Sequence, residues 1–210
     1  MEELMQEDTL KQFLPATESW FRKTFGEPTK IQREAWPAIA DGKHVLVSAP
    51  TGTGKTLSAF LVFIDQLGGL AERGELKEEL YVIYVSPLKS LAGDIRENLR
   101  KPLEGIGAEA PGESKPESRP GNPSIGQIQA AIRTGDTPQK ERQRMVKHPP
   151  HILIITPESL YLMLTSKSGR QVLKTAKAII LDELHALIDT KRGAHLMLSV
   201  ARLDKLCGRR

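Results

Sequence analysis

Five short runs in this chain read as strands: 44–49 (HVLVSA), 81–86 (YVIYVS), 127–133 (QIQAAIR), 151–156 (HILIIT) and 176–182 (AKAIILD). Most are apolar along their whole length instead of alternating. A strand of that kind needs cover on both sides, which helices on the two faces of a parallel sheet supply. Helix-like segments lie between the runs, among them LSAFLVFIDQL, SLAGDIRENLRKPL, QKERQRMVKH and SLYLMLTSK. This alternation predicts an α/β domain with a mostly parallel sheet and helices on both faces. Binding residues of such a domain gather in the loops beyond the carboxyl ends of the strands.

One segment breaks the rhythm. Residues 104–126 (EGIGAEAPGESKPESRPGNPSIG) are rich in Gly, Pro, Ser and charge and offer little to bury, so they are expected to form a flexible surface loop inside the domain. Composition narrows the setting. With 210 residues, 39% hydrophobic and 27% charged, the chain is long enough for one globular domain or a fragment of a larger protein. The single cysteine, Cys207, has no partner for an internal disulfide, and no Cys/His cluster has metal-site spacing, which points to a reducing, cytoplasmic environment. The acidic, polar start MEELMQEDTLKQ is not a secretory leader, and no apolar run is long enough to cross a bilayer. A net charge of +4 fits a surface for polyanions without requiring one.

The first strand run leads into PTGTGKTLSAF, giving the order strand, Gly/Thr loop, helix that a phosphate cradle requires. Gly52 and Gly54 permit the backbone turns that aim successive N–H groups at phosphate oxygens, with Pro50, Thr51 and Thr53 completing the loop. The helix that follows presents its positive end there. Lys55 is expected to reach the β- and γ-phosphates and the Thr56 hydroxyl to hold magnesium. The pattern G-x-x-x-x-G-K-[ST] would place glycine at position 49, where this chain has Ala49. A plain Gly/Thr turn with a chance lysine is the alternative.

The run AIILDELHAL ends in two carboxylates. An Asp at the carboxyl end of a strand can hold magnesium, and an adjacent Glu can orient and deprotonate an attacking water, so Asp182 is assigned to the metal and Glu183 to the water. The competing account is a pair of acidic residues capping the next helix. Upstream, Gln32 offers a donor and an acceptor side by side, matching the N7 edge and amino group of adenine, with Phe25 available to stack on the base. An exposed helix glutamine and a core phenylalanine would look the same in isolation.

Taken in order, PTKIQREAWPAI, APTGTGKT, VSPLKSLAGDI, RTGDT, ITPESL and DELH resemble the Q motif and motifs I, Ia, Ic, Ib and II of superfamily 2 helicases. PLKSLAGDIRENL, TGDTPQKERQRM, ITPESLYLML and KRGAHLMLSVARL are similar, more narrowly, to the large helicase-related (Lhr) proteins. The resemblance implies a RecA-like, P-loop NTPase domain of three layers, the first motor lobe of an ATP-dependent 3′-to-5′ translocase and helicase that uses ATP and Mg²⁺. It implies one domain over 1–210, with 1–28 a helical lead-in to the Q motif. The second RecA-like lobe, carrying the arginine finger, and the last strand of the domain are expected outside these residues.

The same resemblance puts single-stranded DNA or RNA against Pro87, Leu88 and Lys89, against Gly135, Asp136 and Thr137, and against Thr156, Pro157 and Glu158. Arg192 and Gly193 are further candidates. Strand-end loops of this kind hold backbone phosphates without reading bases, although TPES is also an ordinary helix N-cap sequence. A monomer with no membrane partner is expected, hydrolysing ATP little without its second lobe. Two other readings remain open: a module that uses ATP to clamp nucleic acid without unwinding it, and a small-molecule phosphotransferase. Nothing in the chain resembles the lid or acceptor site that the last would need.

Overall fold

The computed structural model describes residues 8–49, 54–87, 91–109 and 127–208, and of residues 91–97 the backbone. The chain groups into two compact units, Met1–Leu76 with Asn98–Ile128 and Lys77–Glu97 with Gln129–Arg210.

The first unit is helical. A 3-10 turn at Thr9–Gln12 precedes α1 (Pro15–Phe25), α2 (Lys30–Ala40) and α3 (Lys55–Glu72), and the later part of α4 (Leu91–Glu109) belongs here too. Its core is aromatic. Phe13 and Phe21 meet the Trp36 ring edge-on at 4.9 and 5.3 Å, and Trp36, Phe60, Leu61 and Ile64 are fully buried. α1 begins at Leu14 without a side-chain cap, and Asp65 of α3 supplies the missing acceptor by taking the Leu14 N–H at 2.8 Å. Burial pushes the Asp65 carboxyl above its ordinary pKa, and the Leu14 N–H pulls the other way.

Two expectations change in this unit. Residues 44–49 join no strand ladder, and Leu46 is 83% exposed. The apolar pattern measured what the segment tends to bury, but a strand also needs a neighbouring edge to pair with, and among the described residues it has none. Residues 104–109, expected as loop, continue α4. Ile106 is fully buried, and a Cβ on Gly105 would fall 2.1 Å from Trp20 Nε1, so this glycine marks a close helix approach and not a loop. Residues 110–126 lie outside the described residues.

The second unit holds a four-stranded, wholly parallel sheet in the order β2–β3–β1–β4, with β1 Val82–Val85, β2 Ala130–Arg133, β3 Ile152–Ile155 and β4 Ala178–Leu181. The central strands β1 and β3 are buried throughout, whereas the flanking β2 and β4 are half-buried. The first part of α4 and helices α5 (Gln139–Lys147), α6 (Pro157–Thr165), α7 (Lys167–Leu173) and α8 (Lys191–Leu206) belong to this unit. Ile83 and Val85 of β1, Leu153 and Ile155 of β3, Leu160 and Met163 of α6 and Leu196 of α8 form one apolar core. Because every strand runs the same way, the ends of β1, β2, β3 and β4 open on one edge of the sheet.

Candidate nucleotide and nucleic-acid site

In the first unit, α3 starts immediately after Gly54, which has φ 82° and offers no side-chain cap. Lys55 is the first residue of the helix, and its Nζ donates to the Ala49 carbonyl at 2.5 Å. Thr56, half-buried, follows in the same turn. Gln32 lies directly alongside. A Cβ added to Gly54 would sit 2.8 Å from Gln32 Nε2, so the predicted adenine reader and the last glycine of the predicted cradle are neighbours.

Gln32 is only 3% exposed and already has a task. Its Oε1 accepts the Thr29 N–H at 2.9 Å while the Thr29 hydroxyl accepts the Gln32 N–H, a reciprocal capping box at the start of α2. A carbonyl oxygen carries two lone pairs, so this duty leaves one acceptor direction on the amide. Phe25, the last residue of α1, packs on Trp20 and Phe21 yet keeps 54% of its surface exposed. Pro50, Thr51, Gly52 and Thr53 lie outside the described residues.

In the second unit, the acidic pair follows β4 at the carboxyl edge. The ladder extends one residue past the strand, with the Asp182 N–H donating to Val85 O at 3.0 Å. Both carboxylate oxygens of Asp182 are engaged, Oδ1 by the Glu183 N–H at 2.9 Å and Oδ2 by the Tyr84 hydroxyl. Glu183 itself has φ 51° and ψ 39°, left-handed backbone that a side chain with a Cβ adopts at a cost of about 1–2 kcal/mol. Its carboxylate is three-quarters buried and lies 3.2 Å from His185 Nε2. Among the described residues no cluster of three or more His, Cys, Asp or Glu forms a closed metal site. A lone Asp with oxygens still offering lone pairs suits magnesium, which keeps waters and takes phosphate oxygens alongside one or two carboxylates.

The strand-contact candidates that are described lie on the same edge or beside it. Pro87 is buried just beyond β1, while Leu88 and Lys89 are outside the described residues. After β2, the Thr137 hydroxyl accepts the Thr134 N–H at 2.9 Å, and Asp136 is exposed at the tip of the turn. Arg142 of α5 fastens this turn by donating to Thr137 O at 2.7 Å and Gly135 O at 2.6 Å. After β3, Thr156 is 3% exposed and turned inward, capping α6 through the Ser159 N–H, and Pro157 behind it is buried and has no N–H to give.

Glu158 and Arg192, read separately as strand contacts, grip each other at 2.5 and 3.1 Å through two parallel hydrogen bonds. The Arg192 guanidinium holds the Glu158 carboxyl below the usual range, and Glu158 raises Arg192 in turn. Gly193 has a packing role, since a Cβ there would meet Leu187 O at 2.0 Å. Sequence reasoning passed over Tyr84, Arg142 and Thr190, the α8 cap. For Tyr84 a signal was present: a tyrosine in a strand buried on both faces needs a partner for its hydroxyl.

The family model for the DEAD/DEAH box helicases matches residues 29–209. The chain belongs to that family. The domain is 48% identical over 194 residues to the ATP-dependent helicase Lhr-Core of Methanothermobacter thermautotrophicus, a match covering 92% of this chain and 22% of that protein. It is 48% identical over 199 residues to the Lhr helicase/probable uracil glycosylase of Mycolicibacterium smegmatis, covering 95% of this chain and 12% of that one. The helicase domain therefore spans about a fifth or less of the length of these curated relatives. Among solved structures, that of Mycobacterium smegmatis helicase Lhr bound to ssDNA and AMP-PNP matches with a TM-score of 0.83 and 47% identity over 95% of this chain and 24% of that chain. The DEAD-box helicase Mss116, bound to ssRNA and UDP-BeF, matches 97% of this chain and 38% of its own with a TM-score of 0.75 at 20% identity, a likeness of fold. The sheet is parallel, as the strand pattern implied, and is that of a RecA-like helicase domain, as the family resemblance implied. No described helix is long and apolar enough to cross a membrane.

Proposed function

We propose that this helicase domain binds ATP with Mg²⁺ as the first lobe of a motor that moves 3′ to 5′ along single-stranded DNA or RNA, with a second RecA-like lobe completing the catalytic site. The observation that carries the nucleotide part is the start of α3. A helix N-terminus opens on left-handed Gly54, among the described residues no side chain caps it, Lys55 is its first residue, and the Gln32 carboxamide occupies the space that a Cβ on Gly54 would need. Groups suited to phosphate and groups suited to adenine thus adjoin within one unit.

In this reading Gln32 selects adenine, Phe25 stacks on it, and Lys55 neutralises the β- and γ-phosphates. Thr56 and Asp182 would hold Mg²⁺, whose chemistry is to neutralise charge developing on the phosphoryl oxygens. Glu183 orients the attacking water and takes its proton, with His185 steadying the carboxylate. Loops at the carboxyl edge of the sheet carry the strand by its phosphates, so binding weakens as salt rises.

Lys55→Ala should weaken binding of a fluorescent ATP analogue on the order of 100-fold, the value of a charged hydrogen-bond partner. Glu183→Gln, placed in the protein with both lobes, should keep ATP and Mg²⁺ binding and lose hydrolysis and unwinding together. Unwinding that survives the Gln change would turn the reading toward an ATP-dependent clamp.

A further inference from the structure

Tyr84 sits in the middle of β1, a strand buried on both faces, and is 1% exposed. Its register partner on β4 is Ile180. Side chains two residues apart on a strand share a face, so Asp182 lies diagonally across from Tyr84 on the same side. There the Tyr84 hydroxyl donates to Asp182 Oδ2. The other oxygen, Oδ1, is held by the Glu183 N–H at 2.9 Å, and the Asp182 backbone is held to Val85 O. Main chain and both carboxylate oxygens are therefore tied, each oxygen by one donor, which leaves one lone-pair direction on each.

We infer that Tyr84 is a positioning residue for Mg²⁺ binding: its hydroxyl fixes the rotation of the Asp182 carboxylate so that the remaining lone pairs point in one direction. A carboxylate held at one oxygen alone can still swing about its Cβ–Cγ bond, and Tyr84 removes that freedom from inside the core, where water does not compete for the hydroxyl. The hydroxyl is directed at the carboxylate assigned to the metal. Outer partners of this sort typically govern metal affinity by about 10- to 100-fold. The inference rests on the reading of Asp182 given above.

Tyr84→Phe keeps the ring and removes the donor. In the 210-residue chain, the Mg²⁺ concentration that half-saturates the tightening of a fluorescent ATP analogue should rise about 10-fold, while affinity for the same analogue in EDTA stays at the wild-type value. In an Asp182→Asn background the Phe change should add nothing, because the hydroxyl acts through that carboxylate. An unchanged Mg²⁺ requirement overturns the inference, as does an equal loss with and without Mg²⁺, which would mark a packing role. If Asp182→Asn itself leaves the Mg²⁺ requirement untouched, the wider reading of Asp182 fails and takes the inference with it. Should Tyr84→Phe not fold, the native chain carries the test. It has three tyrosines. With 3-fluorotyrosine incorporated, the ¹⁹F resonance that remains when Tyr81 and Tyr161 are each replaced by Phe should shift when Mg²⁺ joins the nucleotide complex. A resonance that stays in place overturns the proposal.

Discussion

The helix that starts at Lys55 and the helices that start after Thr156, Ser166 and Thr190 solve the same local problem in opposite ways. Each begins with N–H groups that have no partner inside the helix. Thr156, Ser166 and Thr190 bend their hydroxyls back to accept from Ser159, Gly169 and Gly193, so these three starts are closed by their own side chains. At the start of α3, Gly54 turns the chain with its left-handed backbone and has no side chain to cap with. α1 and α5 also start without a side-chain cap, so what sets α3 apart is the combination of left-handed Gly54 with Lys55 as first residue, which fits the proposed nucleotide site. A self-capped start favours stability. An uncapped start beside a lysine stabilises little until an anion arrives. α8 takes the closed arrangement furthest, since the Leu187 carbonyl crowds Gly193 so closely that no Cβ fits.

The contrast breaks most visibly at Gly54. Gly54→Ala adds about 1–2 kcal/mol of backbone strain and drives a Cβ against Gln32 Nε2. ATP-analogue affinity should fall on the order of tenfold, equivalent to about 1.4 kcal/mol. Gly26→Ala is the control: Gly26 has φ 75° and a Cβ there would meet nothing within 4 Å, so thermal melting should register the strain while nucleotide titration does not move. Next in size are the closed starts. Thr156→Val and Thr190→Val should each cost about 1 kcal/mol of stability in denaturant unfolding and leave nucleotide affinity unchanged. A nucleotide defect from either would mean that the self-capped starts also serve the ligand.

The smallest effect belongs to the ion pair that joins the α6 and α8 starts. Arg192 and Glu158 keep 39% and 55% of their side-chain surface exposed, so solvent screens them and the pair is worth less than about 1 kcal/mol. Glu158 has a depressed pKa when folded. Its contribution is therefore complete above the ordinary glutamate pKa and is lost as pH falls through the depressed folded value. Glu158→Gln should flatten that acid limb of the stability curve and lower the salt sensitivity of melting. A mutant whose acid limb matches wild type would show that the two groups do not hold each other in solution.

Much of this was legible in the chain because the signals were local. The runs at 81–86, 127–133, 151–156 and 176–182 each contain one strand of the sheet, since a buried parallel strand announces itself through continuous apolar residues. The run at 44–49 obeyed the same rule and has no ladder, because pairing depends on a distant edge. Gly105 misled for a related reason: its glycine signal came from the Trp20 ring 85 positions upstream (105 minus 20), not from a turn. Lys55 was visible as helix-start chemistry and the Asp182–Glu183 pair as strand-end chemistry. The capping box formed by Gln32 has a local signature, T-x-x-Q at the start of a helix, whereas its burial does not. The grip of Tyr84 on Asp182 spans 98 residues and follows only from strand order. The mutual hold of Glu158 and Arg192 likewise needed α6 and α8 side by side.

Glu183 occupies a backbone geometry that glycine adopts with no penalty from a side chain, and glycine there would supply no carboxylate. Selection for durability alone would favour the smaller residue at that point. The fold is thus less rugged than it could be immediately after β4, and what it keeps in exchange is an acid group held at a fixed angle. In the proposed reading, a backbone strain and the carboxylate assigned to the water fall on the same residue.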